Sequence, residues 1–360
     1  MQQSTKFLPS WRASMRKAKR RIAVLAALLS LILLGWFFGP GSYGYQGYAL
    51  ANFNGRQFVN LVPNKDHSLA DLIAWRWNRQ PGDWQQRELP RADDALIARA
   101  AQGDLLVSFV THATVLIQLD SLNVLTDPIW SEYTGPNQLF GARSYQNPGF
   151  SIDKLPPIDA VLLSHNHYDH MDLPTLRRLQ ALYQPVFIVG LGNRDYLVNA
   201  GLDRVVELNW WQQYQLNGHD IVYVPARHAS MRTDAGYKQT LWGGFLLEGS
   251  QGSVVYAGDT GFSDHFSTIA QRYGKPRLAI LPIGAYLPRW FMQENHMSPE
   301  DALAAFDALN ARAAMAVHFG TFDLGDDGQD QARLVLSDLL ALRADTREFW
   351  IPEVGQQRAF

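Results

Sequence analysis

The chain contains no cysteine among its 360 residues. This absence excludes disulfide bonds, thiolate zinc sites, cysteine-held iron–sulfur clusters and cysteine nucleophiles. The Gly-x-Ser-x-Gly pattern of serine hydrolases is missing as well, so no serine nucleophile elbow is predicted. Charged residues amount to only 18%, whereas hydrophobic residues make up 47% and aromatic residues 12%. Such a composition excludes a disordered chain and supplies enough apolar side chains for a large core.

Basic residues are concentrated at the N-terminus. Residues 1–21 carry seven Lys or Arg side chains and no acidic one, and the remaining 339 residues carry 25 basic and 34 acidic side chains. The body of the protein is therefore acidic, with a formal charge of −9. Nucleic-acid-binding domains present a basic surface, so we expect no nucleic-acid partner.

An uncharged apolar segment follows the basic tail at residues 22–38, IAVLAALLSLILLGWFF. As a helix it would span roughly 26 Å, near the lower limit for crossing a bilayer. The sequence predicts a single transmembrane helix with residues 1–21 in the cytoplasm. In a bacterium this places the protein in the inner membrane with its catalytic domain in the periplasm. A cleaved signal peptide and a buried soluble helix are the alternatives.

The rest of the chain divides into an irregular region and a regular one. Residues 42–103 are expected to pack on the catalytic domain, with helices at 71–79 and 92–101. Residues 104–360 show two batches of short strands, each followed by helices, including helices at 173–183 and 299–309. This order predicts an α/β (α+β) domain in which helices cover two packed sheets, behind one transmembrane helix.

The run at residues 164–170, SHNHYDH, carries the clearest chemical signal. It follows a predicted strand and holds His165, His167, Asp169 and His170, residue types that bind zinc. His165 and His167 are expected to point the same way because side chains in extended backbone alternate. Asp169 and His170 lie past the bend and can face a second ion. Further candidate ligands stand at or just after the ends of other predicted strands: His228, Asp259 and His318.

The same run resembles the motif of the metallo-β-lactamase superfamily, whose fold is a four-layer αββα sandwich. Within that superfamily, the wider pattern is similar to the N-acylphosphatidylethanolamine-hydrolysing phospholipase D branch. The matching segments are THATV at 111–115, LTDPIWS at 125–131, WW at 210–211, PARH at 225–228, AGDTG at 257–261, LPIGAYLPRWFM at 281–292 and VHFGTF at 317–322. The segment 281–292 points to this branch, although Leu287 stands where the branch has an acidic residue.

The resemblance implies two zinc ions per chain. One would be held by His165, His167 and His228. The other would be held by Asp169, His170 and His318, with Asp259 bridging the pair. It also makes Asp127 an acceptor that orients a ligand imidazole, the alternative being a turn residue before Pro128. Three other roles stay open: His112 approaches the site or caps its strand, Arg289 pairs with a phosphate or braces a loop, and His296 reaches the pocket or does not.

The resemblance further implies a reaction. Two zinc ions, with Asp169 and Asp259 among their ligands, would hold a hydroxide that attacks the phosphodiester of N-acyl phosphatidylethanolamine. The products would be phosphatidic acid and N-acylethanolamine, and the expected partners are a phospholipid and a membrane. The oligomeric state stays open, a homodimer included. Alternatives are a hydrolase of another phosphodiester, a lactone or a phosphonate, a membrane-anchored metal-binding sensor, and an iron redox site.

Overall fold

The computed structural model describes residues 43–93, 96–136, 141–232 and 236–360. Two seven-stranded sheets and a two-stranded ribbon make up the β-structure. The helices are α1 Leu69–Trp77, α2 Leu173–Tyr183, α3 Arg194–Val198, α4 His265–Tyr273, α5 Arg289–Met292, α6 Pro299–Leu309 and α7 Gln331–Ala341. The ribbon pairs β4 Tyr133–Thr134 with β5 Ala142–Arg143.

The first sheet has the strand order β16-β1-β2-β3-β6-β7-β8. Its strands are β1 Leu105–Thr111, β2 Thr114–Leu119, β3 Leu122–Thr126, β6 Ala160–Leu163, β7 Val186–Gly190, β8 Val205–Leu208 and β16 Gln357–Ala359. Strands β1 to β3 form an antiparallel meander, and β3, β6, β7 and β8 run parallel. The all-apolar sequence of β6, AVLL, is buried at every position, as expected for a parallel strand covered on both faces.

The second sheet has the order β15-β14-β13-β12-β11-β10-β9. Its strands are β9 Gln213–Leu216, β10 His219–Val224, β11 Gly244–Leu247, β12 Val254–Tyr256, β13 Leu278–Pro282, β14 Ala313–Val317 and β15 Glu348–Trp350. Strands β9 to β12 are antiparallel neighbours, and β12 to β15 run parallel. Each sheet therefore combines a meander with a parallel half.

Side chains from the facing surfaces of the two sheets form the central core. Phe109 and Val124 of the first sheet belong to the same buried cluster as Tyr223 and Phe245 of the second. The outer face of the second sheet packs against α4, α6 and α7, and the outer face of the first packs against α2. The architecture is the αββα sandwich that the sequence predicted.

Local sequence sets the bounds of the two best-predicted helices. Helix α6 begins at Pro299 after Ser298, whose hydroxyl accepts a hydrogen bond from the backbone N–H of Asp301, while the Asp301 carboxylate bonds back to the Ser298 N–H. This capping box and the proline at the first helical position fix the start of the helix. Both α6 and α2 have the predicted bounds.

The predicted helix at 92–101 is wrong for residues 96–101, which have no regular secondary structure. Their backbone is used by other parts of the chain: Gln118 donates to the carbonyl of Ile97, and Asn123 donates to the carbonyl of Ala98. These tertiary bonds override the helical propensity of an alanine-rich stretch. The short strands β4, β5, β8, β9, β15 and β16 were not predicted from the sequence either.

The predicted transmembrane helix requires a correction. Within residues 43–93, 96–136, 141–232 and 236–360, no helix has the length and apolar character needed to cross a bilayer. The longest of these helices has 11 residues, roughly 16 Å, against about 30 Å of hydrocarbon. For the described residues the fold class is therefore the αββα sandwich without a transmembrane helix, and the predicted inner-membrane, periplasmic localisation is not supported. Residues 22–38, on which both predictions rested, lie outside the described residues.

Residues 43–93 contact the sandwich at several points. Phe53 and Phe58 are buried in the core cluster between the sheets. Helix α1 is held by the loop that follows β14, because the Trp75 indole N–H donates to Asp326 over 3.1 Å and Arg79 pairs with the same carboxylate over 3.2 Å. This N-terminal region therefore contacts the core between the sheets through apolar side chains, and the loop after β14 through polar and ionic contacts.

Candidate metal centre

Nine histidine and aspartate side chains converge at one edge of the sandwich, where six strands end. Strands β1, β3 and β6 of the first sheet run in one direction, as do β10, β12 and β14 of the second. Each strand delivers a residue just past its carboxyl end. These are His112, Asp127, His165, His228, Asp259 and His318, in the order of the strands. The loop after β6 adds His167, Asp169 and His170.

Three imidazoles form one group, His165, His167 and His228, with ligand atoms within 4.8 Å of one another. The Nε2 of His165 lies 2.8 Å from Nδ1 of His167, and the Nε2 of His228 lies 3.3 Å from the same atom. Burial, reinforced by neighbouring imidazoles, holds the pKa of His165 and of His228 well below its usual value. Both rings are therefore neutral and offer the lone pairs that metal ligation requires.

A second group surrounds the carboxylate of Asp169. Its Oδ2 lies 3.2 Å from Nε2 of His170, 3.5 Å from Nε2 of His318 and 3.0 Å from Nε2 of His112. All four side chains are buried, and their ligand atoms lie within 4.8 Å of one another. His112 thus reaches the cluster, which is one of the two roles that the sequence left open for it.

Asp259 lies between the two groups. Its Oδ2 is 3.1 Å from Nε2 of His170, 3.2 Å from Nε2 of His318, 4.0 Å from Nε2 of His165 and 3.8 Å from Nδ1 of His296. Among the described residues, Asp259 Oδ1 and the Nε2 atoms of His170 and His318 are buried without a hydrogen-bond partner. Buried polar atoms are rarely left unpaired, so this convergence fits a bound cation.

The charges around Asp259 favour the same interpretation. Burial by itself would raise the pKa of Asp259, yet His170 and His318 hold it well below its usual range. Burial would lower the pKa of His318, but Asp259 and Asp169 outweigh that effect and raise it to about 9. The site therefore stabilises positive charge between two ionised carboxylates, as a metal ion requires.

Asp127 orients His170 from behind the cluster. Its carboxylate lies 2.7 Å from Nδ1 of His170, and it accepts hydrogen bonds from the backbone N–H of Ser164 and the hydroxyl of Tyr256. An imidazole held at Nδ1 presents Nε2 in a fixed direction. The sequence predicted no role for Ser164 or Tyr256, although each stands at the end of its strand, close to candidate ligands.

His296 and Arg289 occupy different positions relative to the cluster. His296 lies at the cluster edge, with its ring centroid 5.3 Å from that of His228, and burial lowers its pKa to about 4. Arg289 pairs with Asp301 over 2.6 Å and donates to the carbonyl of His296 over 3.1 Å. These contacts brace the loop that carries His296.

The main chain is strained at three strand ends of the centre. His112, Asp127 and His318 adopt positive φ angles of 48°, 34° and 60°. L-residues other than glycine rarely occupy this region, and such strain persists only where surrounding contacts enforce it. The backbone is bent at these three points, where the side chains turn toward one another.

The sequence reasoning missed two residues that hold the ligand loops in place. Arg232 donates to the carbonyls of Asn166 and Met171, over 3.1 and 2.8 Å, and its guanidinium lies 4.0 Å from the Tyr168 ring centroid. It therefore spans the loop between β6 and α2. The second residue is Asn60, which contacts the main chain of His228. The proximity of Arg232 to His228 in the sequence was a usable signal, whereas nothing marked Asn60.

The comparisons with known proteins agree with this geometry. Residues 122–319 match the family model described as "Beta-lactamase superfamily domain". The chain is 32% identical over 260 residues to N-acyl-phosphatidylethanolamine-hydrolyzing phospholipase D 1 of Caenorhabditis elegans, covering 69% of this chain and 73% of that one. It is 34% identical over 248 residues to the mitochondrial N-acyl-phosphatidylethanolamine-hydrolyzing phospholipase D of Saccharomyces cerevisiae, covering 67% of this chain and 53% of that one.

A solved structure shows the same fold at lower identity. The possible metal-dependent hydrolase from Veillonella parvula superposes with a TM-score of 0.57 at 17% identity, over 72% of this chain and 99% of that one. Fold, cluster and relatives together define a metal-dependent hydrolase. The chain belongs to the metallo-β-lactamase superfamily, in its N-acylphosphatidylethanolamine-hydrolysing phospholipase D-like branch.

Proposed function

We propose that the protein is a dinuclear zinc hydrolase that cleaves N-acyl phosphatidylethanolamine to phosphatidic acid and N-acylethanolamine. The observation that carries the proposal is the position of Asp259 between two separate ligand groups. His165, His167 and His228 would hold one ion, and Asp169, His170 and His318 the other, with Asp259 reaching both. A ligand set of imidazole nitrogens and carboxylate oxygens, without sulfur, suits zinc.

When bound, a zinc pair supplies Lewis acidity, which lowers the pKa of water and stabilises charge on a phosphodiester. The chain's own residues set the geometry for this chemistry. Asp127 fixes the ring of His170, and the carbonyl of Asn295 lies 3.0 Å from Nδ1 of His228. His296 lies beside Asp259 and can contact a substrate oxygen there, because among the described residues its Nδ1 is buried without a hydrogen-bond partner.

The choice of a phospholipid as the substrate is supported by the named activities of the two relatives and by surface chemistry. Helix α1 leaves Ile73 and Trp77 exposed, and Trp290 is 50% exposed close by, since Phe291 stacks on Trp75 of the same helix. Exposed tryptophans and aliphatic side chains are typical of surfaces that contact the lipid interface. We propose that this surface contacts the membrane when the lipid substrate binds.

The test follows one reaction by mass spectrometry with the zinc-loaded full chain and N-acyl phosphatidylethanolamine in mixed micelles. Phosphatidic acid and N-acylethanolamine are expected from the wild type and from a His219→Ala control. His219 stands at the far end of β10 from His228, where its ring contacts the carbonyl of Glu248. The His228→Ala variant is expected to form neither product. Intact lipid with two zinc ions bound would contradict the substrate and favour another phosphodiester or a lactone.

A further inference from the structure

Asn60 contacts the metal centre from outside the segment that the family model matches. The family match begins at residue 122, whereas Asn60 belongs to the N-terminal region, 168 positions from His228. Its side-chain amide donates to the carbonyl of His228 over 2.8 Å, and its side-chain carbonyl accepts from the His228 N–H over 3.1 Å. One side chain therefore satisfies both backbone groups of a candidate ligand, as a neighbouring strand would do.

Asn60 is itself held in place by a contact of its own side chain and by the anchoring of Phe58 nearby. The indole N–H of Trp242, a fully buried core residue, donates to the same Asn60 carbonyl oxygen over 2.9 Å. Phe58, two residues earlier, is also fully buried and donates its backbone N–H to the carbonyl of Lys238 over 2.8 Å. The position of Asn60 is thus fixed by the core rather than by the solvent-exposed part of its own segment.

A second asparagine of the same segment contacts the other side of the His228 environment. Asn64 accepts a hydrogen bond from Arg227 over 2.9 Å and contacts the side chain of Asn295 over 3.3 Å. The carbonyl of Asn295 lies 3.0 Å from Nδ1 of His228. Residues 60–64 therefore control the main chain of His228 directly and its ring through Asn295.

We infer that Asn60 is a positioning residue that holds His228 for metal binding. The inference rests on the proposed zinc ligands. A ligand atom must stay within about 0.5 Å of its working position. Without Asn60 the main chain of His228 is less restrained, so the affinity for the ion that His165, His167 and His228 would share is expected to fall. The ion held by Asp169, His170 and His318 does not depend on this contact. Loss of Asn60 is therefore expected to lower the zinc affinity of the site that includes His228 and to leave that of the other site unchanged.

The experiment measures zinc affinity by competition with a chromophoric chelator, using the full chain and its variants. Asn60→Ala is expected to lower the affinity for one of the two zinc ions about 10- to 100-fold, and to leave the affinity for the other within about threefold of the wild type. Asn60→Asp keeps the acceptor and loses the donor to the His228 carbonyl, so an intermediate loss is expected. The matched control is Asn54→Ala, since Asn54 accepts from the N–H groups of Arg56 and Gln57 instead.

A spectroscopic measurement separates positioning from general destabilisation. Cobalt-substituted Asn60→Asp is expected to show altered visible absorption for one ion, whereas Asn54→Ala should retain the wild-type spectrum. Two zinc ions bound with unchanged affinity by both Asn60 variants would overturn the inference while leaving the proposed function intact. A wild-type chain that binds no zinc would contradict the proposed function itself, and the role of Asn60 would fall with it.

Discussion

The Asp127 carboxylate lies 2.7 Å from Nδ1 of His170, and both side chains are completely buried. Asp127 follows β3 and His170 follows β6, neighbouring parallel strands whose ends meet at the metal centre. The contact leaves Nε2 of His170 directed at Asp169 and Asp259. Asp127, which lies outside the proposed ligand set, therefore determines where the proposed ligand His170 points.

The first prediction concerns this contact. Asp127→Asn removes the negative acceptor from Nδ1 of His170 and is expected to reduce zinc affinity about 10- to 100-fold. The measurement is metal content after dialysis against graded chelator. Asp120→Asn is a matched control, because Asp120 is also a buried turn carboxylate with positive φ but accepts from Ser250 and Gly103. Equal zinc affinity in the two variants would contradict an orienting role for Asp127.

The second prediction concerns the carboxylate between the two ligand groups. Asp259→Asn is expected to lower zinc content from about two ions per chain toward none, because the uncharged amide no longer offsets the charge of two cations. The measurement is elemental analysis of the purified protein. Asp264→Asn, an exposed substitution at the start of α4, should keep the wild-type content. Retention of both ions by Asp259→Asn would show that the two sites do not depend on this residue.

The third prediction concerns Arg232 and the loop it spans. Arg232→Met removes the donors to the carbonyls of Asn166 and Met171 and is expected to destabilise the fold by about 2 kcal/mol, since both bonds come from a charged donor. Backbone amides of residues 166–171 should also exchange faster. Arg204→Met is the comparison, because Arg204 donates to one backbone carbonyl, that of Gln184, at an exposed position. Unchanged exchange in Arg232→Met would mean that the loop holds its shape without the arginine.

The fourth prediction concerns acid stability. His265 is buried against Phe266, its ring contacts the Ser263 hydroxyl over 2.7 Å, and burial, assisted by Arg227, lowers its pKa to about 3. In the unfolded chain this histidine takes up a proton below about pH 6.5, whereas in the folded chain it stays neutral. Its contribution to stability is therefore complete above pH 6.5 and declines as the pH falls toward 3.

When the pH is lowered from 7.5 to 5.0, the free energy of unfolding of the wild type should fall by about 2 kcal/mol more than that of a His265→Gln variant, because only the wild type carries this histidine. Urea denaturation of both proteins at the two pH values, in the same metal buffer, isolates this difference because all other groups are shared. The stability gap between wild type and variant should shift by that amount in favour of the variant at pH 5.0. A pH-independent gap would show that His265 binds its proton equally in both states.

The sequence indicated which histidine and aspartate side chains converge at the sheet edge, for a physical reason. Ionisable side chains are rarely buried, so His165, His167, Asp169 and His170 within six positions stand out against any packing role. His228, Asp259 and His318 stand near strand ends, where parallel strands bring their residues together. Their identities needed no knowledge of distant contacts.

Other features could not be predicted, because they depend on contacts between distant parts of the chain. Asn60 is an ordinary polar residue in an irregular segment, and its role exists only because Trp242 and His228 lie beside it in space. Strand β16, with the sequence QRA, lacks the alternation that marks a strand and forms by pairing with β1. For residues 92–101 the sequence predicted a helix that the structure lacks at residues 96–101. The helical composition of this segment is outweighed by hydrogen bonds from Gln118 and Asn123 to its backbone.

The distribution of the cluster along the chain has a consequence for protein synthesis. His165 to His170 leave the ribosome well before Asp259 and His318, which come from the second sheet. A nascent chain that has completed β1 to β7 already carries four of the proposed ligands, His165, His167, Asp169 and His170, before the second sheet has been synthesised. Under the proposed ligand set, neither ion can therefore be bound by all of its ligands until Asp259 and His318, which follow β12 and β14, have been synthesised.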